Sequence, residues 1–242
     1  MAGNAQKADE RAVRVIEVKE SAFAANDREA DALRQRLRER GTFLLNVMSS
    51  PGSGKTTLLT RTAEALRSRL SMGVMEADID SDVDARTMAA TGIASVQLHT
   101  GGMCHLDAAM CAQGLAELEA AAAEQGTSPL DLAILENVGN LVCPAEFDTG
   151  ASASAAIVSV PEGDDKPLKY PLMFEVVDVV VVNKVDACEL FDFDIERFRE
   201  NVRLRNPSAD VICLSAKTGE GTDAWFAWLE GAVAAWKGAS HA

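Results

Sequence analysis

The sequence predicts an α/β protein built on a doubly wound, mostly parallel sheet. Short apolar runs alternate along the chain with stretches of helical periodicity, and several of the runs end in polar or charged residues. One run, residues 176–182, is almost unbroken valine, as expected of a central parallel strand covered on both faces. A length of 242 residues allows one large domain with a short arm.

Seven apolar runs are predicted as the strands of this sheet. They are residues 43–45, 73–77, 95–98, 130–135, 155–160, 176–182 and 211–214. Helices are expected at four places in the main domain. One begins at residue 55, one runs from just after Asp107 to about residue 124, one covers residues 195–204, and one runs from about residue 223 to residue 236. The polar segment 161–171 is predicted as a loop.

Residues 1–41 precede the first core strand and are predicted as an N-terminal arm beside a main domain of residues 42–242. Within the arm, residues 13–18 fit a short edge strand. Residues 26–40 fit an amphipathic helix that begins with Asn26 as its N-cap and ends at Gly41. Its apolar face is expected to pack on the side of the domain.

Composition excludes several classes of function. A net charge of −14, with no cluster of lysine and arginine, argues against a nucleic-acid partner. There is no apolar run long enough to span a membrane, and the polar first ten residues do not resemble a secretory signal. Five cysteines without such a signal indicate free thiols in a reducing compartment, so we expect a cytoplasmic protein.

The segment from Ser49 to Thr57 has the order of a phosphate-binding P-loop: an apolar strand, a turn of small residues, then Lys-Thr at the start of a helix. Glycines let successive N–H groups point at phosphate oxygens, the lysine adds positive charge, and the threonine hydroxyl suits Mg²⁺. The first position of the pattern is Ser49 rather than glycine. A small-residue loop that merely precedes a lysine is the competing interpretation. The predicted phosphate ligands are Gly52, Ser53, Gly54, Lys55, Thr56 and Thr57.

Two acidic residues at strand ends are predicted to face the same site. Asp78 ends the second strand and is expected, with Thr56, near Mg²⁺; the acids at 80, 82 and 84 that follow fit a turn or a switch loop. Glu136 ends another strand, and Gly139 follows three residues later. In nucleotide switches this arrangement places the acid near a water molecule bound to Mg²⁺, and it places the glycine N–H near the γ-phosphate.

The sequence Asn183-Lys184-Val185-Asp186 predicts the choice of base. A carboxylate accepts hydrogen bonds from the guanine N1–H and amino group together, which adenine does not offer. Asn183 can reach the base and the P-loop, while the stem of Lys184 covers the ring. Ser215, Ala216 and Lys217 add a backbone N–H for the guanine O6. Together with the P-loop, these motifs predict GTP and GDP as ligands.

Four segments together resemble the HypB family, the hydrogenase nickel-incorporation GTPases. They are residues 49–56, 101–107 (GGMCHLD), 136–144 (ENVGNLVCP) and 162–167 (EGDDKP). The resemblance implies a GTPase fold of the SIMIBI class and a GTP-dependent homodimer. It also implies that the dimer acts with nickel-handling maturation proteins to deliver Ni²⁺ to the large subunit of [NiFe] hydrogenase, with Cys104, His105 and Cys143 as metal ligands at the dimer interface.

Thiolate and imidazole donors suit Ni²⁺ or Zn²⁺, although free cysteines are commonly small buried apolar residues. The remaining cysteines (Cys111, Cys188 and Cys213) are interpreted as core or incidental thiols. Residues 1–40 contain neither Cys nor His, so we expect no separate nickel store in the arm. Because Cys143 follows Gly139 closely, loading of GTP is expected to move one ligand relative to the other two.

The sequence therefore predicts GTP hydrolysis with Mg²⁺, in which Lys55, Asp78 and Glu136 take the catalytic positions. No residue stands out as a general base, so slow turnover is expected. Two alternatives stay open: a metal-binding scaffold in which GTP only drives dimerisation, and an accessory GTPase for urease or a cobalamin-dependent enzyme. A small-molecule kinase does not need the guanine motifs.

Overall fold

The structure is a computed structural model that describes residues 18–78 and 83–239, without the side chains of residues 18–22, 78 and 83–85. The predicted edge strand at 13–18 lies outside these residues except for Val18, which opens a helix. The division into an arm of residues 1–41 and a domain of 42–242 stays a prediction. In the described part of the chain, no helix combines the length and the apolar character that crossing a membrane would need.

One parallel sheet of seven strands forms the centre of the molecule, in the order β3-β2-β4-β1-β5-β6-β7. The strands are β1 (Phe43–Ser49), β2 (Met72–Asp78), β3 (Ala94–His99), β4 (Leu132–Glu136), β5 (Ala153–Ser159), β6 (Val179–Asn183) and β7 (Asp210–Cys213). The predicted fold class is confirmed. Because β1 lies between β4 and β5, the connections diverge on its two sides, and ligands bind at such a point beyond the carboxyl ends of the strands.

The helices that cover the sheet are α1 (Val18–Arg40), α2 (Lys55–Leu66), α3 (Val83–Ala89), α4 (Ala108–Glu124), α5 (Cys143–Glu146), α6 (Lys166–Lys169), α7 (Pro171–Glu175), α8 (Ile195–Arg205) and α9 (Thr222–Ala239). Two 3₁₀ turns lie at Val160–Glu162 and Val185–Leu190. The segment predicted as a polar loop at 161–171 is therefore partly helical, since Pro161, Pro167 and Pro171 each occupy a first-turn position where a missing N–H costs nothing.

The alternation of side chains along β1 divides the core into two faces. Leu45 and Val47 pack with Trp225 and other residues of α2 and α9. On the opposite face, Leu44 packs with Leu33 and Leu37 of α1 and with α4, and Met48 packs with α7 and α8. The predicted packing of α1 on the side of the domain is confirmed.

The start of α1 differs from the prediction. The helix already includes Val18, so Asn26 lies inside it and the prediction of Asn26 as N-cap is wrong. Asn26 instead uses its side chain in contacts with two distant segments. The predicted end is confirmed: Gly41 has φ 67°, its N–H donates to the Arg38 carbonyl at 3.1 Å, and the Thr42 N–H donates to the Leu37 carbonyl.

The valine-rich strand is shorter than predicted and lies one strand from an edge of the sheet rather than at its centre. Val176 follows α7 and is 45% exposed, whereas the four valines of β6 are fully buried. The pattern therefore identified correctly that both faces are covered. It carried no information about position within the sheet, because helices cover β6 as completely as they cover β1.

The indole of Trp225 provides a test of this core. Its Nε1–H donates to Thr62 Oγ1 at 3.0 Å in a fully buried contact that joins α9 to α2. Trp225→Phe should lower the free energy of unfolding by about 1–3 kcal/mol, because it removes this bond and leaves a small void. Urea unfolding followed by circular dichroism measures the change.

Trp228→Phe is the matched control. Its Nε1–H donates to Asp210 in an exposed contact, and its half-buried ring stacks on Trp225 with centroids 5.8 Å apart, a stack that phenylalanine can keep. We therefore expect a smaller loss than for Trp225→Phe, roughly 0.5–1 kcal/mol. Equal losses in the two variants would contradict the assignment of the Trp225–Thr62 bond to the core.

Candidate nucleotide and metal site

A cavity of about 590 Å³ opens at the carboxyl ends of β1 and β4. Its walls come from the turn after β1, the first residues of α2, the end of β2 and the segment after β4. The lining residues are Pro51, Gly52, Ser53, Gly54, Lys55, Thr56, Thr57, Ala77, Glu136, Asn137, Val138, Gly139 and Lys184. The structure thus brings together the predicted phosphate ligands, Glu136, Gly139 and Lys184 around one space.

The turn after β1 depends on its two glycines. Gly52 and Gly54 have φ of 75° and 94°, a region that side chains disfavour. A Cβ on Gly54 would also lie 2.4 Å from Nδ2 of Asn183, far inside contact distance. Since Gly54 precedes α2 and has no side chain to cap it, the N–H groups of the first helical turn are left for an anion in the cavity.

Lys55 is held by two partners within the site. Its ammonium donates to Ser49 Oγ at 2.9 Å and lies 3.8 Å from Glu136 Oε1. Ser53 Oγ donates to the same Ser49 hydroxyl at 2.8 Å. Serine at the first position of the P-loop pattern therefore has a structural role that glycine would lack, because its hydroxyl positions the lysine.

The acidic residues of the site end neighbouring strands. Glu136 is the last residue of β4 and is buried, and β2 runs alongside with Glu76 opposite Glu136 and Asp78 as its last residue. The side chain of Asp78 and residues 79–82 lie outside the described part of the chain. The Thr56 hydroxyl and the Glu136 carboxylate border one cavity, and such hard oxygen donors fit Mg²⁺.

The segment after β4 contacts the P-loop directly. A Cβ on Gly139 would lie 3.2 Å from Cγ of Pro51, so the two backbones approach closely. Asn137 is buried and donates to Asn46 Oδ1 at 3.0 Å, which anchors the start of the segment to β1. Further on, Asn140 accepts from the Val142 N–H at 2.8 Å and donates to Cys143 Sγ at 3.6 Å.

Asn183 joins three parts of the site. The residue is 2% exposed, and its Nδ2 donates to the Ser53 carbonyl at 2.9 Å. Its Oδ1 accepts from the Lys184 N–H at 2.8 Å and from the Ala216 N–H at 2.9 Å. The predicted contact between Asn183 and the P-loop is confirmed. Lys184 adds a second contact, since its Nζ donates to the Gly52 carbonyl at 2.6 Å.

Asp186 is exposed within the 3₁₀ turn that follows β6. The N–H groups of Ser215 and Ala216 are already used, because they donate to the Glu220 carbonyl and to Asn183. Of the three residues predicted to supply a donor for the guanine O6, Ser215 and Ala216 therefore have N–H groups that already bond within the chain.

Arg61 is a residue of the site that sequence reasoning missed. Its Nε donates to the Ala216 carbonyl at 2.8 Å and its Nη2 to the Lys217 carbonyl at 3.1 Å, which ties α2 to the segment after β7. A charged residue in the middle of an amphipathic helix is typical of a solvent-facing position. Only the long-range contact identifies its role.

The predicted metal ligands Cys104 and Cys143 come together, and we call them the thiol pair. A hydrogen bond with the Cys104 thiol, followed by partial burial, raises the pKa of the Cys143 thiol above its ordinary value. His105 Nδ1 lies 3.9 Å from Cys104 Sγ, and its ring stacks on Phe147 with centroids 3.9 Å apart. As placed, no three His, Cys, Asp or Glu side chains in the described ranges form a group that could hold a metal ion.

The thiol pair and the nearby imidazole are soft donors that fit Ni²⁺ or Zn²⁺, although the residues described for one chain do not arrange a complete shell. The other cysteines lie elsewhere. Cys111 is fully buried in α4, and burial raises the pKa of its thiol to about 12. Burial also raises the pKa values of Cys188 and Cys213, which flank the region of Asp186 and Ser215.

Comparison with known proteins agrees with this geometry. A family model for the CobW/HypB/UreG nucleotide-binding domain matches residues 43–213. The hydrogenase maturation factor HypB of Azotobacter vinelandii is 46% identical over 217 residues, which cover 90% of this chain and 69% of that protein.

Two solved structures share the fold. The HypB hydrogenase maturation factor of Archaeoglobus fulgidus has a TM-score of 0.78 and 39% identity, covering 87% of this chain and 99% of that one. HypB from Helicobacter pylori, in complex with nickel, has a TM-score of 0.80 and 35% identity, covering 86% and 95%. The chain therefore belongs to the CobW/HypB/UreG family, and within that family to the HypB proteins.

Proposed function

We propose that this protein is a cytoplasmic GTP-hydrolysing metallochaperone that binds Ni²⁺ or Zn²⁺ and assists the insertion of nickel into [NiFe] hydrogenase. One observation carries the proposal: the segment that runs from Glu136 past Gly139 borders the nucleotide cavity at one end and carries Cys143 of the thiol pair at the other. The nickel complex of the H. pylori relative supports the choice of metal.

GTP is the nucleotide that best fits the arrangement after β6. The exposed Asp186 carboxylate accepts from the guanine N1–H and amino group, and the Lys217 N–H donates to O6. Asn183 and Arg61 hold these two segments against the P-loop and α2. Recognition of the base then depends on a frame that exists before the nucleotide binds.

Hydrolysis uses the groups that line the cavity. Lys55, shared between Ser49 and Glu136, transfers its hydrogen bonds to the terminal phosphates and stabilises the charge that develops there. Thr56 and Asp78 would hold Mg²⁺, which would supply further charge neutralisation, and Glu136 would orient water in the cavity. Of the lining side chains that the structure describes, Glu136 alone is a carboxylate. Because it is assigned to this water, no second carboxylate among these residues is left as a general base, and turnover is therefore expected to be slow.

The nucleotide state is coupled to the metal through residues 139–143. A γ-phosphate that accepts from the Gly139 N–H shifts this residue relative to Pro51, and Asn140 transmits the shift to Cys143 through its bond to Sγ. The separation of the thiol pair changes, and the metal affinity changes with it.

A homodimer formed with GTP completes the metal shell. Met103 and Val142, which directly precede the two cysteines, are 44% and 49% exposed. Two apolar side chains beside soft ligands suit burial against a second copy, which would contribute its own thiols and imidazole about a two-fold axis. The proposed partners of this dimer are nickel-handling maturation proteins and the hydrogenase large subunit.

Asp186→Asn tests the recognition of guanine. An amide cannot accept two hydrogen bonds from N1–H and the amino group, so the affinity for GTP should fall roughly 100-fold, while XTP, whose 2-oxo group accepts from the new amide, should bind more tightly than GTP. Fluorescent-nucleotide titration gives both constants.

The exposed Asp192→Asn is the matched control for Asp186→Asn and should bind GTP like the unmodified protein. If Asp186→Asn kept its preference for GTP over XTP, the base would be recognised elsewhere.

Lys55→Ala separates the GTPase from a scaffold in which hydrolysis is incidental. Loss of the ammonium should lower GTP hydrolysis about 10²–10³-fold, and [NiFe] hydrogenase activity should fall with it in a host that carries only this variant. Arg69→Ala, an exposed change after α2, is the control. Hydrogenase maturation that survives the loss of hydrolysis would favour the scaffold.

A further inference from the structure

We propose that Asn26 of α1 is a positioning residue for the thiol pair, because it holds the segment of Cys104 and the segment of Cys143 at a fixed separation. The inference rests on the proposed metal-binding function. The proposal gives α1 a structural role that its amphipathic pattern does not indicate, because an asparagine inside a helix is usually expected to lie at the surface without a specific role.

The oxygen and the nitrogen of the Asn26 side-chain amide each bond to one of the two segments. Oδ1 accepts from the N–H of Ala108, the first residue of α4 and three residues after His105, at 2.9 Å. Nδ2 donates to the carbonyl of Asp148, five residues after Cys143, also at 2.9 Å. The Asn26 side chain is 7% exposed; its bond to Ala108 is buried, and its bond to Asp148 is partly buried. Because the amide is planar and rigid, moving either segment alone breaks one of them.

Capping of α4 does not account for this arrangement. Asp107 already caps α4, since its carboxylate accepts from the Met110 N–H at 2.8 Å. The bond from Asn26 to Asp148 contributes nothing to α4, because Asp148 lies beyond α5. Asn26 bonds to both segments, and each of its partners lies more than 80 residues away in sequence. This is the geometry of a clamp.

Other contacts of α1 reinforce the same connection. Phe23, one turn before Asn26, packs on Phe147 with ring centroids 5.0 Å apart, and Phe147 stacks on His105. Arg34 donates to both carboxylate oxygens of Asp148 at 2.8 Å and to the Ala151 carbonyl. Since α1 is itself anchored in the core by its apolar face, the chain after Cys143 is fixed to a rigid support.

Cys143 therefore lies between Gly139, which contacts the P-loop and is the point that the nucleotide moves, and Asp148, which is held against α1. A shift that begins at Gly139 cannot continue past Asp148 and is absorbed in the residues between them. The clamp in this way concentrates the effect of the nucleotide on the thiol pair. Without it, the same shift would spread into the segment that leads to β5.

The test compares Asn26→Ala and Asn26→Asp in the full chain. The aspartate keeps an acceptor for the Ala108 N–H but has no donor for the Asp148 carbonyl, so it separates clamping from capping. Equilibrium dialysis with Ni²⁺ is expected to give a Kd about 10–100-fold higher for both variants, with the affinity for GDP unchanged. The exposed Gln35→Ala, on the same helix, is the control and should match the unmodified protein.

A second readout needs no metal. In a chain with Cys111→Ala, Cys188→Ala and Cys213→Ala, diamide oxidises Cys104 and Cys143 to a disulfide and is itself reduced to the hydrazine. The rate reports how often the thiols meet, and it should fall several-fold in both Asn26 variants. If Asn26→Asp retained the unmodified nickel affinity and oxidation rate, Asn26 would be only a second cap of α4, and the proposal would be overturned.

The nickel affinity tests the proposed metal-binding function, whereas the oxidation rate tests the clamp without any metal. If the unmodified protein bound no nickel while Asn26→Ala still slowed disulfide formation, the proposed function would fail and the clamp would stand. If Asn26→Ala did not fold, Asn26→Asp would carry the test, because its nickel Kd and oxidation rate report on the bond to the Asp148 carbonyl alone. Arg34→Ala would be added at a partly exposed site, because it removes the second contact by which α1 holds Asp148, the pair with its carboxylate, while both Asn26 bonds stay. Its nickel Kd is expected to rise less than that of Asn26→Asp, and an unchanged Kd in Asn26→Asp would overturn the clamp.

Discussion

The side chain of Asn183 is the interaction on which the nucleotide site depends. From a buried position at the end of β6, it bonds to the Ser53 carbonyl in the P-loop and to the N–H groups of Lys184 and Ala216. The close approach of Asn183 is possible only because Gly54 has no Cβ. One amide therefore positions both the P-loop and the segments that we propose recognise the base, and these bonds are already formed without a nucleotide.

A similar arrangement extends to the proposed metal site. The chain from Glu136 to Asp148 begins at Lys55 in the nucleotide cavity, passes Gly139 against the P-loop, carries Cys143, and ends on Asn26. Two buried asparagines, one at each end of the functional region, thus hold segments that are far apart in sequence. Between them lies the short stretch in which we propose that the nucleotide moves a thiol of the metal site.

The sequence was most informative where function and local geometry coincide. Apolar runs predicted all seven strands, and the P-loop and guanine motifs predicted which strand ends meet, because carboxyl ends of parallel strands share one edge. The roles of Asn26 and Arg61 escaped prediction because each depends on a partner at least 82 residues away. Asn26 looked like an N-cap since it precedes a strong apolar pattern, yet α1 starts earlier.

In the proposed mechanism, residues 139–143 link the nucleotide state to the metal affinity. The most direct measurement is titration of Ni²⁺ and Zn²⁺ into the protein in GDP and in a non-hydrolysable GTP analogue, with mass followed by light scattering. Linkage predicts metal Kd values that differ about fivefold or more between the two nucleotides, a dimer with the GTP analogue, and loss of binding in Cys143→Ala. Equal Kd values in both nucleotide states, or nickel binding that survives Cys143→Ala, would contradict it.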